Sequence, residues 1–562
     1  MNAVSTLLPT PFMVLEKLRQ IHPLLCLGVE QRGALLSLHK AAPALPDMPW
    51  LAASVIGWAF QRIPLYLENA QKAAAAENFP EVPQTSPIGS ANFFSGKELA
   101  RFAARVSGYL PDQTDPQLQD ILDLYDIRLL TRFLLPKLGD KKQGFPLLAS
   151  AWDRLIKCTS RDLPLTMLEA TAFPSELLPL KKRLKAEWAV HHLAGDDPEQ
   201  ALDMLNDCDD ALWGQWKLSM RAMLLVQAGE TDEAGDIYTG LCRAMPWHVN
   251  SCLMAHALRY PLGDFGAGDA LSRSDGVNIL LYSWNKSELL ARTLDSLYAS
   301  ERGNARIVVL DNGSTDAMAD VLNAAEDRFG SDRFSQVRLP VNIGAPGARN
   351  WLLSLPEVWQ RPLAAFLDDD VILPSGWLGH LLAASGRLEN FGAIGCRIVS
   401  AERPYGLQSA DYNNYPLDNS EGGSRLGIFN NCFGQLDMGM YGYDRPCLSV
   451  SGCCHLLNMC SIEKAGLFDI RYNPTQFDDL DHDLRSCLAG FPSYYAGSLR
   501  VCHVQHSSME KADTMAAMGQ VSGNQMKLQA RFDDMELTRL FGLSQTILWD
   551  DLLRKAADLS AE

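Results

Sequence analysis

From the first residues to about Tyr260, apolar side chains recur at helical spacing and strand-like alternation is scarce, which predicts a mostly helical first half. Pro- and Gly-bearing breaks at 80–87 and 111–116 divide it into pieces. The pattern changes at 263–275, a stretch containing Gly, Ser and Asp. Beyond it, Val277 to Trp284 reads as a buried strand and Ser287 to Ser300 as a helix with Leu290, Leu294 and Leu297 on one face. Ala305 to Leu310 is a second strand and Asp316 to Phe329 a second helix; a helix over Ala345 to Leu355 and a strand over Leu363 to Leu367 follow. This order predicts a mainly parallel sheet covered on both faces, with ligands collecting beyond the carboxyl ends of its strands. Past Ser508 the chain turns helical again, with an apolar stripe through Leu537, Leu540, Phe541, Leu548 and Leu552. Asp533, Asp550 and Asp551 deny that stripe the basic face of a membrane-surface helix, so a packed terminal helix is expected. The organisation is multidomain: helical over 1–150 and 151–262, α/β over 275–508, and a short helical tail over 509–562.

Within the second helical region, Leu193-Ala194-Gly195-Asp196-Asp197-Pro198 is answered by Gln227-Ala228-Gly229-Glu230-Thr231-Asp232, with the glycines 34 positions apart. That is the period of tetratricopeptide repeats, which the segment resembles over about two units. Two units need neighbouring helices to pack on. A groove for a protein partner and a plain helical hairpin array both remain open.

A chain of 562 residues exceeds one hydrophobic core, and 47% hydrophobic with 21% charged residues is ordinary for a folded protein. A formal charge of -17 repels phosphate backbones and anionic lipid, which excludes nucleic acid as an expected partner. No basic leader precedes the first apolar stretch, and Trp50 to Phe60 is too short to span a bilayer. A cytoplasmic location is expected, or one peripheral to the inner face of the membrane. The 13 cysteines include no C-x-x-C pair, which fits reduced thiols. Cys453-Cys454-His455 lies in an apolar run, Leu448 to Met459, and is read as buried packing in preference to a metal site.

The chemistry concentrates in the α/β region. Asp368-Asp369-Asp370 closes the apolar run Ala364 to Leu367, and three adjacent carboxylates at a strand end suit Mg2+ or Mn2+ bridging a diphosphate. An earlier strand delivers Asp311-Asn312-Gly313-Ser314-Thr315-Asp316, where Asp311 is placed to accept hydrogen bonds from a base or ribose. Between them, Asn342-Ile343-Gly344-Ala345-Pro346-Gly347-Ala348-Arg349-Asn350 runs from a Gly-rich loop into a helix, with Arg349 a candidate for pairing with phosphate. Its spacing matches neither the dinucleotide fingerprint nor the P-loop.

Together with Tyr282-Ser283-Trp284-Asn285, these segments resemble glycosyltransferase family 2 in order and spacing. The resemblance extends through Ser451-Gly452-Cys453-Cys454, Ala465-Gly466-Leu467-Phe468-Asp469 and Phe477-Asp478-Asp479-Leu480-Asp481-His482-Asp483-Leu484-Arg485 to Val501-Cys502-His503-Val504-Gln505-His506. It implies a GT-A fold and an inverting, metal-assisted transfer from a nucleoside-diphosphate sugar. The acceptor would be a hydroxyl on a glycan, a lipid-linked glycan or a protein. Asn285, Asp311, Asn312, Arg349, Asp368 and Asp369 would bind the donor, and Asp368 and Asp370 the metal, with His503 or His506 as a further ligand. Asp479 inherits the catalytic base. Asp478 stands where the family has Glu and His482 where it has Leu, so Asp478 is the alternative base. The competing expectations are a nucleotidyltransferase, and a helical-repeat scaffold carrying an inactive transferase domain.

Overall fold

A computed structural model describes residues 9–76, 96–262, 270–415, 425–430, 432, 435–504 and 515–561. The alternation of strand and helix predicted beyond residue 276 is observed, with ends shifted by a residue or two. Val277–Ser283 (β1), Arg306–Asp311 (β2), Phe334–Arg338 (β3) and Leu363–Leu367 (β4) form four adjacent parallel strands in the order β3-β2-β1-β4. Ile279, Leu280, Leu281, Ile307, Val308 and Val309 are all fully buried, as central parallel strands must be. Helices Ser287–Ala299, Met318–Phe329 and Ala345–Leu353 make the crossovers.

Beyond β4 the sheet departs from the mainly parallel expectation. The chain continues through Val371–Ile372 (β5), Ala393–Ser400 (β6), Leu407–Ser409 (β7), Tyr412–Tyr415 (β8), Gly427–Asn430 (β9), Asp444–Cys447 (β10), Cys454–Asn458 (β11) and Ser493–His503 (β12). β11 inserts antiparallel between β4 and β6, and β12 runs parallel to β6 but antiparallel to β10 and β5, giving the order β10-β12-β6-β11-β4-β1-β2-β3. The sheet is therefore mixed. The antiparallel β11 matters for the chemistry, because its register sets Cys454 opposite Leu367 and thus brings Cys453 beside the acidic triplet.

The helical half and the tail share one apolar core with one face of this sheet, running from Val14 to Leu559. The terminal helix Asp534–Ala561 buries Leu540, Leu548, Leu552 and Leu559, in line with its expected stripe, and Trp549 Nε1 donates to Pro23 O at 2.8 Å. Buried Arg445 of β10 donates to Cys26 O (2.7 Å) and Leu27 O (2.9 Å) while paired with Asp411, which ties the chain's start to the sheet's edge. In the insert between Glu402 and Leu448, Met438, Met440, Tyr441 and Tyr443 belong to the core. Tyr238 donates to Gly439 O (2.7 Å) and Asn250 to Met440 O (3.2 Å), so that portion is anchored on the helical half. Residues 416–424, 431 and 433–434 of the insert, the break at 80–87, and most of the transition at 263–275 lie outside the described residues.

The paired helices of the repeat-like segment include Asp210–Ala228, Thr231–Ala244 and Val249–Arg259. Its two glycines are not equivalent: Gly229 ends its helix at φ +86°, whereas Gly195 packs against the Arg403 guanidinium. No helix among the described residues is long and apolar enough to cross a membrane.

Candidate active site

The parallel register puts the ends of β1, β2 and β4 side by side, with Ser283 opposite Asp311 and Leu281 opposite Leu367. The acidic triplet therefore emerges next to Ser283, whose Oγ donates to Asp369 at 2.7 Å. Thr293 Oγ1 donates to the carbonyls of Asp369 and Val371, both at 3.0 Å, which pins the acidic turn to the first crossover helix. Lys286 was not singled out from sequence; its Nζ reaches Asp369 at 2.9 Å and Asp370 at 3.4 Å.

The three carboxylates have different environments. Burial pushes the Asp369 carboxyl up to about 6 in spite of Lys286. Burial also raises Asp368, against the opposing influence of His503 and Arg349. At Asp370 the effect of burial is overcome by the hydrogen bond and charge of His503, and by Lys286, so its carboxyl is held below the ordinary range. For Asp369 the sign is unfavourable to stability at neutral pH: the folded chain holds this proton more tightly than the unfolded one, so stability falls as pH rises from about 4 to about 6. Asp369→Asn is accordingly expected to gain on the unsubstituted protein by up to about 3 kcal/mol between pH 4 and pH 7. Urea denaturation at both pH values checks it; a constant difference between the two proteins contradicts it.

The loops that follow β1, β2 and β3 are stitched together by residues singled out from the sequence. Asp311 is 7% exposed and its Oδ1 accepts from Ser314 N at 2.8 Å. Asn285, at φ +52°, accepts from Thr315 N at 2.7 Å. Asn312 donates to Asn342 Oδ1 (2.9 Å) and accepts from Ile343 N (3.0 Å). Asn285 and Asn312 thus hold the loops in place, and Asp311 lies at their centre. Gly313, at φ +80°, has a position where a Cβ would collide with the backbone of Val341, so only glycine fits this turn.

Arg349 is buried, and its Nη1 donates to Asp478 at 2.8 Å while Nη2 lies 4.0 Å from Asp368. Tyr282, Phe366 and Phe468 rings surround the guanidinium at 5.2 to 5.9 Å. Where the sequence suggested a phosphate clamp, the structure shows a buried cation joining the acidic triplet to the helix Asp478–Leu488. Burial raises the Asp478 carboxyl to about 6, against the attraction of Arg349. Asp479 beside it is half-exposed, and its Oδ2 accepts from Gly452 N at 2.9 Å. His482 is fully buried and stacks on Phe468 at 4.7 Å between ring centres, so its polarity does not reach the cleft.

His503, at the end of β12, is the other residue brought in from a distance. Its Nε2 is 2.8 Å from Asp370 and 3.9 Å from Asp368, and its Nδ1 is 2.7 Å from Gln408 Oε1. Burial opposes charging of this ring, yet Cys453 and Asp370 together push its pKa up to about 11. His506 lies outside the described residues. Cys453, read from sequence as packing, is half-exposed with Sγ 3.9 Å from His503 Nδ1; Cys454 and His455 are buried, as expected. Asp368, Cys453 and His503 each place a ligand-type atom within 4.8 Å of the others. A carboxylate, a thiol and an imidazole, with the Asp370 carboxylate beside them, suit a divalent cation, so the residues present fit the expected group.

Residues 279–436 match the family model "Glycosyl transferase family 2". The succinoglycan biosynthesis protein ExoU of Rhizobium meliloti (strain 1021) is 36% identical over 110 residues, a match spanning 20% of this chain and 30% of that protein. Among solved structures, GalNAc-T7 with UDP, GalNAc and Mn2+ is similar at TM-score 0.34 and 13% identity, over 40% of this chain and 42% of that one. The mannosyltransferase PcManGT from Pyrobaculum calidifontis, in complex with GDP-Man and Mn2+, is similar at TM-score 0.34 and 12% identity, over 56% and 86% of the respective chains. Asp479 and His503 lie beyond the matched segment, whereas Asp311, Arg349 and the acidic triplet lie within it. Residues 279–436 of this chain form a glycosyltransferase family 2 domain.

Proposed function

We propose that the protein transfers a sugar from a nucleoside-diphosphate sugar to an acceptor hydroxyl with inversion at the anomeric carbon, Asp479 acting as the base. One observation carries the reading. Adjacent residues hold the two halves of the chemistry together: Gly452 N–H donates to Asp479 at 2.9 Å, and Cys453 O accepts from Asp368 N–H at 2.9 Å. The proposed leaving-group carboxylates and the proposed base thus share a two-residue support at the head of β11.

Asp311 sits where the nucleoside would be read. Asp368, Asp370 and His503 would hold a divalent cation, which when bound supplies charge stabilisation to the departing diphosphate. Lys286 offsets the charge of Asp369 and Asp370, and Arg349 offsets that of Asp478. This division leaves Asp479, half-exposed and without a side-chain cation at hydrogen-bond distance in the described residues, as the carboxylate able to take the acceptor's proton. Asp478 is unsuited to that task because it is buried on Arg349.

Two experiments test the geometry. The anomeric configuration of the product, followed by proton NMR from the first turnovers, is expected to be opposite to that of the donor; retention overturns the single-displacement reading. A Cβ added at Gly452 would sit 2.7 Å from Arg349 Nη2 and 2.8 Å from Asp479 Oδ2, both tethered groups. Gly452→Ala is therefore expected to lower kcat at least about 10-fold, as misplacement of a reacting group does, with an unchanged far-ultraviolet circular dichroism spectrum. Undiminished turnover would show that Asp479 need not hold this position.

A further inference from the structure

The sequence assigns Cys453 to packing, but β11 delivers it elsewhere. Cys454 and the residues after it enter the sheet, paired with β4, and Cys453 is left at the strand's head against the acidic triplet. Its Sγ is 3.9 and 4.0 Å from the two ring nitrogens of His503, and His503 Nε2 is 3.9 Å from Asp368 Oδ2. Ligands about 2.0 to 2.3 Å from a tetrahedral zinc ion lie roughly 3.5 Å from one another. Those two sides are a few tenths of an ångström wider than in a closed site and the third lies within 4.8 Å, a contraction of the size that side-chain rotation supplies.

A second observation orients the histidine as a ligand. Gln408 Nε2 donates to the His503 carbonyl at 3.2 Å, which fixes the amide so that its Oε1 faces His503 Nδ1 at 2.7 Å. Nδ1 must then carry a proton and donate it. Nε2 is thereby aimed at the carboxylates of Asp368 and Asp370, where only a proton or a cation is favourable. Such an outer hydrogen bond is the usual means of fixing the tautomer of a metal-ligating histidine.

We propose that Cys453 is a thiolate ligand of the cation held by Asp368 and His503, so that this centre prefers thiophilic divalent ions, Zn2+ and Co2+, over Mg2+. The sulfur–metal bond forms as the thiol proton leaves to solvent and the nitrogen–metal bond as the Nε2 proton of His503 does, so binding of the ion releases acid. A site of carboxylates and imidazole alone accepts hard ions readily; replacing one oxygen ligand by sulfur shifts the preference toward softer ions. The inference rests on the functional reading only for the cation's place beside the donor.

The protein titrated with Co2+ is expected to develop a near-ultraviolet sulfur-to-cobalt charge-transfer absorption that saturates at one equivalent. Cys453→Ser should lose that absorption, whereas Cys460→Ser, which removes an exposed thiol outside the site, should keep it. Zn2+ affinity of Cys453→Ser should fall at least by the roughly 10–100-fold that loss of an outer-shell partner costs. X-ray absorption on the Zn2+-loaded unsubstituted protein gives the same answer without a variant: one sulfur at about 2.3 Å is expected. A shell of nitrogen and oxygen only, or a charge-transfer band unchanged in Cys453→Ser, overturns the assignment. If sugar transfer persists in that case, the proposed function stands and only the sulfur ligand falls; if no donor is turned over with any ion while the sulfur bond is seen, the reverse holds.

Discussion

Asp479→Asn is expected to lower sugar transfer by about 10²–10⁴-fold, the usual contribution of a positioned general base, while leaving the dissociation constant of the nucleotide sugar within about twofold, well under the tenfold that 1.4 kcal/mol represents. The asymmetry follows from the site. Asn keeps an oxygen to accept from Gly452 N–H, so the loop before β11 keeps its shape at the cost of the bond from Leu480 N–H, and the amide cannot take the acceptor's proton. Asp311, at the end of β2, and Asp368, just past β4, belong to other elements and are untouched. Asp478→Asn makes the opposite case. It is expected to disturb folding more than proton transfer, because Asp478 is the buried partner of Arg349. Single-turnover rates together with equilibrium dialysis of the donor separate the two residues. Full activity in Asp479→Asn would remove it as the base, and a collapse confined to Asp478→Asn would transfer the role.

The largest loss of stability is expected from Arg349→Met. The Arg349 and Asp478 side chains are 5% and 4% exposed and 2.8 Å apart, so no solvent is at hand to replace the lost cation. Breaking a buried pair by removing one partner costs about 3–5 kcal/mol. The cost should be smaller at acid pH, since Asp478 with its raised pKa takes up a proton once its cation is gone. Replacing both residues, as Arg349→Met with Asp478→Leu, should recover part of the stability without restoring transfer. Guanidinium denaturation of the single and double variants measures the coupling. Equal stability of Arg349→Met and the unsubstituted protein would mean that the pair is not formed in solution.

Local pattern made individual elements legible where burial is uniform along them. β4 occupies the predicted Leu363–Leu367, and the helix following β1 carries Leu290, Leu294 and Leu297 inward. Strand direction beyond β4 was not legible, because β11 pairs with a strand about 90 residues earlier in the chain and no local periodicity records that partnership. The same pairing hides Cys453. Its apolar neighbours identify a strand, but only the register of β11 against β4 shows that the strand begins next to Asp368. Lys286 was missed for a related reason: three residues past a strand it reads as a solvated turn, and only the parallel β1–β4 pairing shows that it faces Asp369 and Asp370. A lysine just beyond a strand whose partner ends in three aspartates is a signal that could have been used. The acidic triplet, Asp311 and Asp479 were legible because family motifs record long-range geometry that periodicity does not. The pairing of Arg349 with Asp478 was not legible, since nothing local joins it to a residue 129 positions away.

The proposed reaction is a glycosyl transfer whose leaving group is a nucleoside diphosphate. Its most direct test is release of nucleoside diphosphate from a panel of uridine and guanosine diphosphate sugars, with Mn2+ or Zn2+ supplied, by the unsubstituted protein and by Asp479→Asn. Release is expected from at least one donor, dependent on the divalent ion and suppressed by the substitution. Binding or turnover of none of these donors, or release of pyrophosphate from a nucleoside triphosphate in their place, would contradict it.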